Sequence, residues 1–577
     1  MATEHLEVYK SILNGGKKAI AWGLSGFLPY VIAQSPFEFS LIIDSNTDVV
    51  GGRFAGIKIY GPDILSEIDP KDWVIVITAD IGRFGKEITD HARSYAPFQI
   101  VPPADFDDLA DLIREYGLPS RTWPLPWPFE TLLATWNDPV AAFAANLNLH
   151  ETVPRSWPLQ PRHACLWIGS LATGGAERQI VYLALGLRRL GWRVTLMTQF
   201  APGPASEQYI ARVDAAGVER VELPEPRRIW ANMPDPDFSR HFPALALGAG
   251  FSRDILHGVA ASVVLLEQLR PDLLVGFMDI GSMVAGMSGL LTGVPRIVLC
   301  GRSVNPTNFP GLDHFHLDPS RLPELYRCLL ARPHVALANN SRAGAASYAE
   351  WLGIPVEKVS VAPNAVDLEA IASVSEAAGA QWRERLGIPA QAPVIVGVLR
   401  LTEEKGPLLF VEVVARVARQ ASGLHAILVG DGALRSAVEA MSVELGINDI
   451  LHILGRQPDV FGLIRAGTIV LQTSRMEGMP NIVLEAQALG RPVVATAVGG
   501  TLECLSPELH PFAAPAGDAE ALAAGCVQLL TQPEIRDIVA QKACSHVQNE
   551  ADIITMTQRV LKAIPRGLDI ERDAHLS

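Results

Sequence analysis

Short apolar runs rich in β-branched residues recur along the chain, each followed by a glycine-bearing or polar loop and then by a stretch of helix formers. Examples are FSLII, WVIVI, ACLWI, RIVLC, HVALA, VIVGV, AILV and TIVLQ. Runs with no polar face are strands covered on both sides, and their alternation with helices dictates parallel sheets in an α/β protein. The runs fall into three groups. Residues 1–118 form a first Rossmann-like α/β unit, and 161–368 and 369–577 form two more. Between the first two, residues 119–160 read SRTWPLPWPFETLLATW and later VPRSWPLQP, a Pro/Trp-rich connector. Two doubly wound units in tandem place a ligand between their strand C-termini.

The most informative stretch is EGMPNIVLEAQALGRPVVATAVGG, residues 477–500, which reads as a loop, a helix, a strand and a glycine turn. Pro480 suits the first turn of a helix, where its missing N–H has no partner to lose, and Asn481 to Leu489 continue it. The free N–H groups of that turn favour an anion over Gly478 and Met479. Glu485 lies one turn inward on the face of Asn481, while Glu477 stands in the loop ahead. Carboxylates accept hydrogen bonds from sugar hydroxyls, so two of them around a phosphate-friendly helix start suit a nucleotide-sugar. Solvated glutamates on an ordinary helix are the rival reading. The third unit's first loop, in LRLTEEKG, supplies Arg400 and Lys405, cations suited to a diphosphate.

The first unit carries a weaker signal. Its opening strand ends in Gly23-Leu-Ser-Gly26 and its second in Asp44, about the spacing of a dinucleotide-binding turn and its ribose-binding acid. The glycine pattern is incomplete, so Gly23, Gly26 and Asp44 mark a candidate second nucleotide site, or a Rossmann-like unit that binds nothing.

A net charge of −14 and a pI near 5.5 argue against a nucleic-acid partner. The longest apolar candidate span, SMVAGMSGLLTGVPRIVLCG, is broken by glycines, Pro295 and Arg296, so no transmembrane segment is expected. The start, MATEHLEVYK, lacks a signal pattern, and the six cysteines show no CxxC spacing; the expected location is cytoplasmic, with the inner membrane face and a peripheral membrane contact both compatible. His314 and His316 in DHFHLD share one face, and PDPDF contains a DxD, but neither has enough ligands or the strand context for a metal site, so none is expected. His257, inside a helical stretch, needs no role.

LRLTEEKG, GDG, LGR, SRMEGMPNIVLEAQALGRPVVAT and GG, in that order, resemble the C-terminal domain of the family 4 retaining glycosyltransferases of GT-B fold. GGAER near residue 175 and PNAVD at 363–367 are similar to the same family's N-terminal half. The resemblance covers about 163–560. It implies two Rossmann-like domains in GT-B arrangement, here preceded by an additional N-terminal Rossmann-like domain. It implies transfer of a sugar, hexosyltransferase-type, from a nucleotide-sugar to a glycan, lipid-linked or protein acceptor in surface polysaccharide or other glycoconjugate synthesis, with no cofactor required. On that resemblance Arg400 and Lys405 hold the donor diphosphate, Glu485 the ribose, and Glu477 the transferred sugar. The backbone of Gly478, Met479, Pro480 and Asn481 lines sugar and phosphate, and Gly174 and Gly175 bring the opposing domain close. Many members place a histidine near the reacting centre; this chain instead has Met278, Asp279 and Arg302 there. CGRSVNP looks like a segment of members that extend lipid-linked or surface glycans, which makes Arg302 a candidate contact for acceptor or phosphate. A sugar-nucleotide epimerase or a non-catalytic nucleotide-sugar sensor on the same fold are the alternatives.

Overall fold

The structure, a computed structural model, describes residues 162–172, 174–200, 207–223, 253–308 and 322–564, and towards the start 8, 11–12, 14–23, 38–45, 47, 50–54, 57–78, 83–95 and 97–101. The Pro/Trp-rich connector, Gly26, DHFHLD and PDPDF lie outside these residues. Among the described residues there are three sheets. The first contains β1 (Lys18–Trp22), β2 (Phe39–Ile43), β3 (Arg53–Phe54), β4 (Ile57–Tyr60), β5 (Trp73–Ile77) and β6 (Gln99–Val101), in the order β3-β4-β2-β1-β5-β6. All its pairs are parallel except the β3/β4 hairpin. Ile20, Trp22, Leu41, Ile43, Ile75 and Ile77 give it a core of its own.

The second sheet is built from β7 (His163–Ile168), β8 (Arg193–Thr198), β9 (Glu219–Glu222), β10 (Leu273–Phe277), β11 (Ile297–Gly301), β12 (Val335–Asn339) and β13 (Val359–Val361). Its order, β13-β12-β11-β10-β7-β8-β9, is parallel throughout. The third comprises β14 (Val394–Val398), β15 (His425–Val429), β16 (Leu451–Gly455), β17 (Ile469–Gln472), β18 (Val493–Thr496) and β19 (Ala513–Ala514) in the order β16-β15-β14-β17-β18-β19, also parallel. We call these sheets with their helices the middle and C-terminal lobes. In each, the first strand is central, the next two lie on one side and the rest on the other. That reversal opens a crevice beyond the strand C-termini, between β7 and β10 in one lobe and between β14 and β17 in the other.

The apolar stretch 282–301 is no membrane span: it divides into most of the helix Met278–Thr292, ended by Gly293 at φ +68°, and strand β11. Among the described residues no helix is long and apolar enough to cross a membrane.

The chain joins the two lobes twice. It leaves the middle lobe after β13 through Pro363–Asp367, and it returns at the end. Val366 N–H donates to Ala551 O at 2.7 Å, and Val366 bridges Asp552. The helix Ile553–Lys562, the last among the described residues, then packs on the helix Gly175–Arg189 of the middle lobe, with Ile553, Met556 and Val560 in that lobe's core. The two helices touch so closely at Gly186 that a Cβ there would sit 1.9 Å from Thr557 Oγ1. Only glycine fits such an approach.

Candidate active site

The loop Thr473–Pro480 runs from the end of β17 to the helix Asn481–Ala488. Pro480 stands one residue outside that helix, as its N-cap with an extended ψ of 116°, and not within the first turn. The loop is held down by the glycine turn after β18. Gly499 has φ +51°, and a Cβ on it would lie 1.8 Å from Glu477 O; Gly500 N–H donates to Gly478 O at 2.9 Å. Gly478 in turn presses on the middle lobe, where a Cβ would meet Ser303 Cα at 2.6 Å and Arg302 O at 2.7 Å.

Glu477 is 9% exposed. Its Oε1 accepts from Lys405 Nζ at 2.7 Å, Ser474 Oγ at 2.7 Å and Gln472 Nε2 at 3.3 Å. A buried carboxylate needs such partners. Lys405 closes the short turn Glu403–Lys405 after β14, and the following Gly406, at φ +61°, has room for no side chain because Thr473 O lies 2.3 Å from where its Cβ would be. Arg400, just beyond β14, is the exposed cation of the group, with 68% of its side chain open and a 3.1 Å contact to Glu404. Sequence reasoning assigned Lys405 to phosphate and Glu477 to sugar separately; here they are each other's ion-pair partners.

Glu485, 3% exposed, is ion-paired across the cleft with Arg178 of GGAER. The neighbouring contacts follow the same seam. Gln179 Nε2 donates to Asn481 Oδ1 at 3.0 Å, and Asn481 Nδ2 donates to Gly175 O at 3.3 Å. A Cβ on Gly175 would stand 2.8 Å from Asn481 Nδ2, so this glycine permits the approach of the lobes. Gly174 has a different part: a Cβ there would collide with the carboxylate of its own helix's Glu177. Burial raises the Glu177 carboxyl above its usual range, while its own backbone N–H and the charge of Arg400 pull it the other way.

Asn364 of PNAVD completes the junction. Its Nδ2 donates to Met479 O at 2.8 Å and to Asn481 Oδ1 at 2.7 Å, its N–H meets Met479 Sδ at 3.2 Å, and its Oδ1 accepts from Arg302. The Met479 side chain is therefore turned to the joint, with 6% exposure. Arg302 lies with its guanidinium 4.7 Å from the Phe277 ring centre, and desolvation pulls its pKa down to about 10. Behind this wall, between the lobes, is a cavity of about 460 Å³ lined by Arg342, Asn364, Met479, Glu503, His546 and Arg559, among others.

Of the three residues expected where other members keep a histidine, Arg302 lies against Gly478 of the C-terminal lobe, while Asp279 bonds within its own lobe. Its Oδ1 accepts from Tyr326 and Tyr348, each at 2.8 Å, inside the middle lobe. Met278 takes φ +64°, rare for a side chain of its size, and is 46% exposed. In the first sheet, Gly23 has φ +108° and donates to Ile43 O at 2.9 Å, beside the buried Asp44, while Thr78 Oγ1 donates to Gly23 O at 2.8 Å. The strand ends therefore place Gly23, Asp44 and Thr78 at that sheet's own switch point.

Residues 392–532 match the family described as "Glycosyl transferases group 1", and residues 173–370 match "Glycosyltransferase Family 4". The Vi polysaccharide biosynthesis protein VipC/TviE of Salmonella typhi is 28% identical over 354 residues, covering 59% of this chain and 60% of that protein. The lipopolysaccharide core biosynthesis glycosyltransferase LpsE of Rhizobium meliloti is 29% identical over 154 residues, 27% of this chain and 44% of that one. The matched region thus spans less than two thirds of either relative. Anabaena HepE, solved with UDP and glucose, superposes with a TM-score of 0.56 at 20% identity over 70% of this chain and 98% of its own. Together with the two facing doubly wound sheets, these matches show that the chain belongs to glycosyltransferase family 4, with the GT-B fold and an extra N-terminal α/β sheet.

Proposed function

We propose that the protein transfers a sugar from a nucleotide-sugar to an acceptor hydroxyl with retention at the anomeric carbon, in the synthesis of a surface polysaccharide or related glycoconjugate. The observation that carries this reading is the pairing of Glu477 with Lys405 and of Glu485 with Arg178 on either side of one helix start, at facing switch points. Each carboxylate is held by one oxygen. Hydroxyls of the ribose can bind Glu485 and those of the transferred sugar Glu477, while the diphosphate between them meets Arg400, Lys405 and the N–H groups at the start of the helix Asn481–Ala488. Charge that grows on the departing diphosphate is stabilised by these groups. The leaving phosphate, lying on the acceptor's face of the sugar, takes the acceptor proton. Since side chains and a helix terminus supply the positive charge, catalysis requires no divalent ion.

Relatives support the setting: VipC/TviE is named for Vi polysaccharide biosynthesis, LpsE for lipopolysaccharide core biosynthesis, and HepE is solved with UDP-glucose. The test is a thermal-shift screen of the purified chain against UDP-, GDP-, ADP- and CDP-sugars, since a bound donor raises the melting temperature, followed by glycoside formation with the stabilising donor. Activity should persist in EDTA. No stabilisation by any donor, or loss in EDTA restored by Mn2+ or Mg2+, counts against the donor and metal-free parts of the reading respectively.

A further inference from the structure

Glu485 is a buried carboxylate on the C-terminal lobe, yet its one side-chain partner among the described residues comes from the other lobe. Arg178 sits one turn into the helix Gly175–Arg189, and Gly175 and Gln179 of the same helix face meet Asn481, one turn before Glu485. Positions i, i+3 and i+4 of one helix thus face positions i and i+4 of the other, the spacing that aligns side chains along a single helix face. These contacts form one seam between the lobes, and parting the lobes along it would take from Glu485 its cation. With the lobes in contact Oε1 is held by Arg178, and the arginine cancels a negative charge that would otherwise repel a neighbouring diphosphate.

We propose that Arg178 is a positioning residue that makes recognition of the donor's ribose conditional on closure of the cleft. It acts through Glu485 and touches neither sugar nor phosphate. The proposal rests on the donor reading above, in which Glu485 takes the ribose hydroxyls.

The experiment uses calorimetry on the full-length protein with the tightest binder among UDP, GDP, ADP and CDP, and with the 2′,3′-dideoxy form of the same nucleotide. Arg178→Ala should weaken the ribonucleotide by about tenfold, corresponding to about 1.4 kcal/mol, and leave the weaker dideoxy nucleotide unchanged. Arg178→Ala combined with Glu485→Ala should bind no more weakly than Glu485→Ala alone. Arg178→Lys, which keeps the charge but not the geometry, should fall between Arg178→Ala and wild type and serves if the alanine variant does not fold. Equal weakening of the ribo and dideoxy forms would place Arg178 on the diphosphate or in the fold and overturn the proposal. Unchanged binding of both would also overturn it while leaving the donor reading intact. If wild-type protein binds none of the four nucleotides, the donor reading itself fails and the proposal falls with it.

Discussion

Glu477 and Asp279 are both carboxylates a few residues beyond the strands that flank a switch point, β17 and β10 respectively, and they are treated in opposite ways. Glu477 receives a lysine and two neutral donors. Among the described residues Asp279 receives two phenols and no cation, and burial pushes its carboxyl above the usual range despite those hydrogen bonds. The C-terminal lobe pairs its acid with a cation; the middle lobe's acid is bonded to two tyrosines of its own lobe, next to the exposed Met278. The two lobes share a strand order but not an electrostatic design.

Lys405→Ala gives the sharpest test of that contrast. It should lower turnover by about a hundredfold or more, because the growing negative charge loses a cation. It should also lower the melting temperature, because Glu477 is left buried without its counter-charge; adding Glu477→Gln should recover the melting temperature but not turnover. Full turnover in a folded Lys405→Ala enzyme would break the comparison. Arg400→Ala should lower turnover by a similar order but leave melting unchanged, since its guanidinium is largely in solvent. A large loss of stability would contradict the exposed placement.

Glu477→Gln keeps shape and removes charge. We expect about tenfold weaker binding of the intact donor and nearly unchanged binding of the nucleoside diphosphate, measured for the two ligands side by side. Equal loss of both would make Glu477 structural, like Asp279. The smallest effect is expected at Asp279 itself. Because its pKa is raised in the folded protein, its contribution to stability is fully present below the ordinary carboxylate pKa, about 4, and is lost as pH rises through the folded value. Asn Oδ1 can still accept from Tyr326 and Tyr348. The Asp279→Asn variant should therefore gain stability relative to wild type as pH rises from about 4 to 7, with turnover nearly unaltered; a large fall in turnover would place Asp279 in the cleft chemistry after all.

Much of the fold was legible because parallel strands buried on both faces leave apolar runs that little else produces. The strands that escaped notice lack that signature. β9 is ERVE, mostly exposed at a sheet edge, while β13 and β19 have three and two residues. At the site, residue types and motif order pointed to Arg400, Lys405, Glu477 and Glu485, but not to which cation meets which acid. Arg178 and Glu485 are 307 positions apart, and Gln179 and Asn481 are 302 apart. Their meeting depends on how two separately wound lobes face each other, which no local pattern records. GGAER and PNAVD did carry a signal, since both motifs supply residues of the seam; what was missing was the partner of each. The bonds of Asp279 to Tyr326 and Tyr348, 47 and 69 positions away, are of the same kind.

The final helix, Ile553–Lys562, has a consequence for how the protein is made. Its Ile553, Met556 and Val560 fill the core of a lobe whose last strand, β13, ends at Val361. During synthesis the ribosome must therefore deliver the whole C-terminal lobe before the middle lobe can seal, a delay on the order of tens of seconds at ordinary elongation rates. For that interval the helix Gly175–Arg189 presents its uncovered apolar side to chaperones and proteases. A premature stop just before Ile553 would thus injure the lobe farther from the break in sequence.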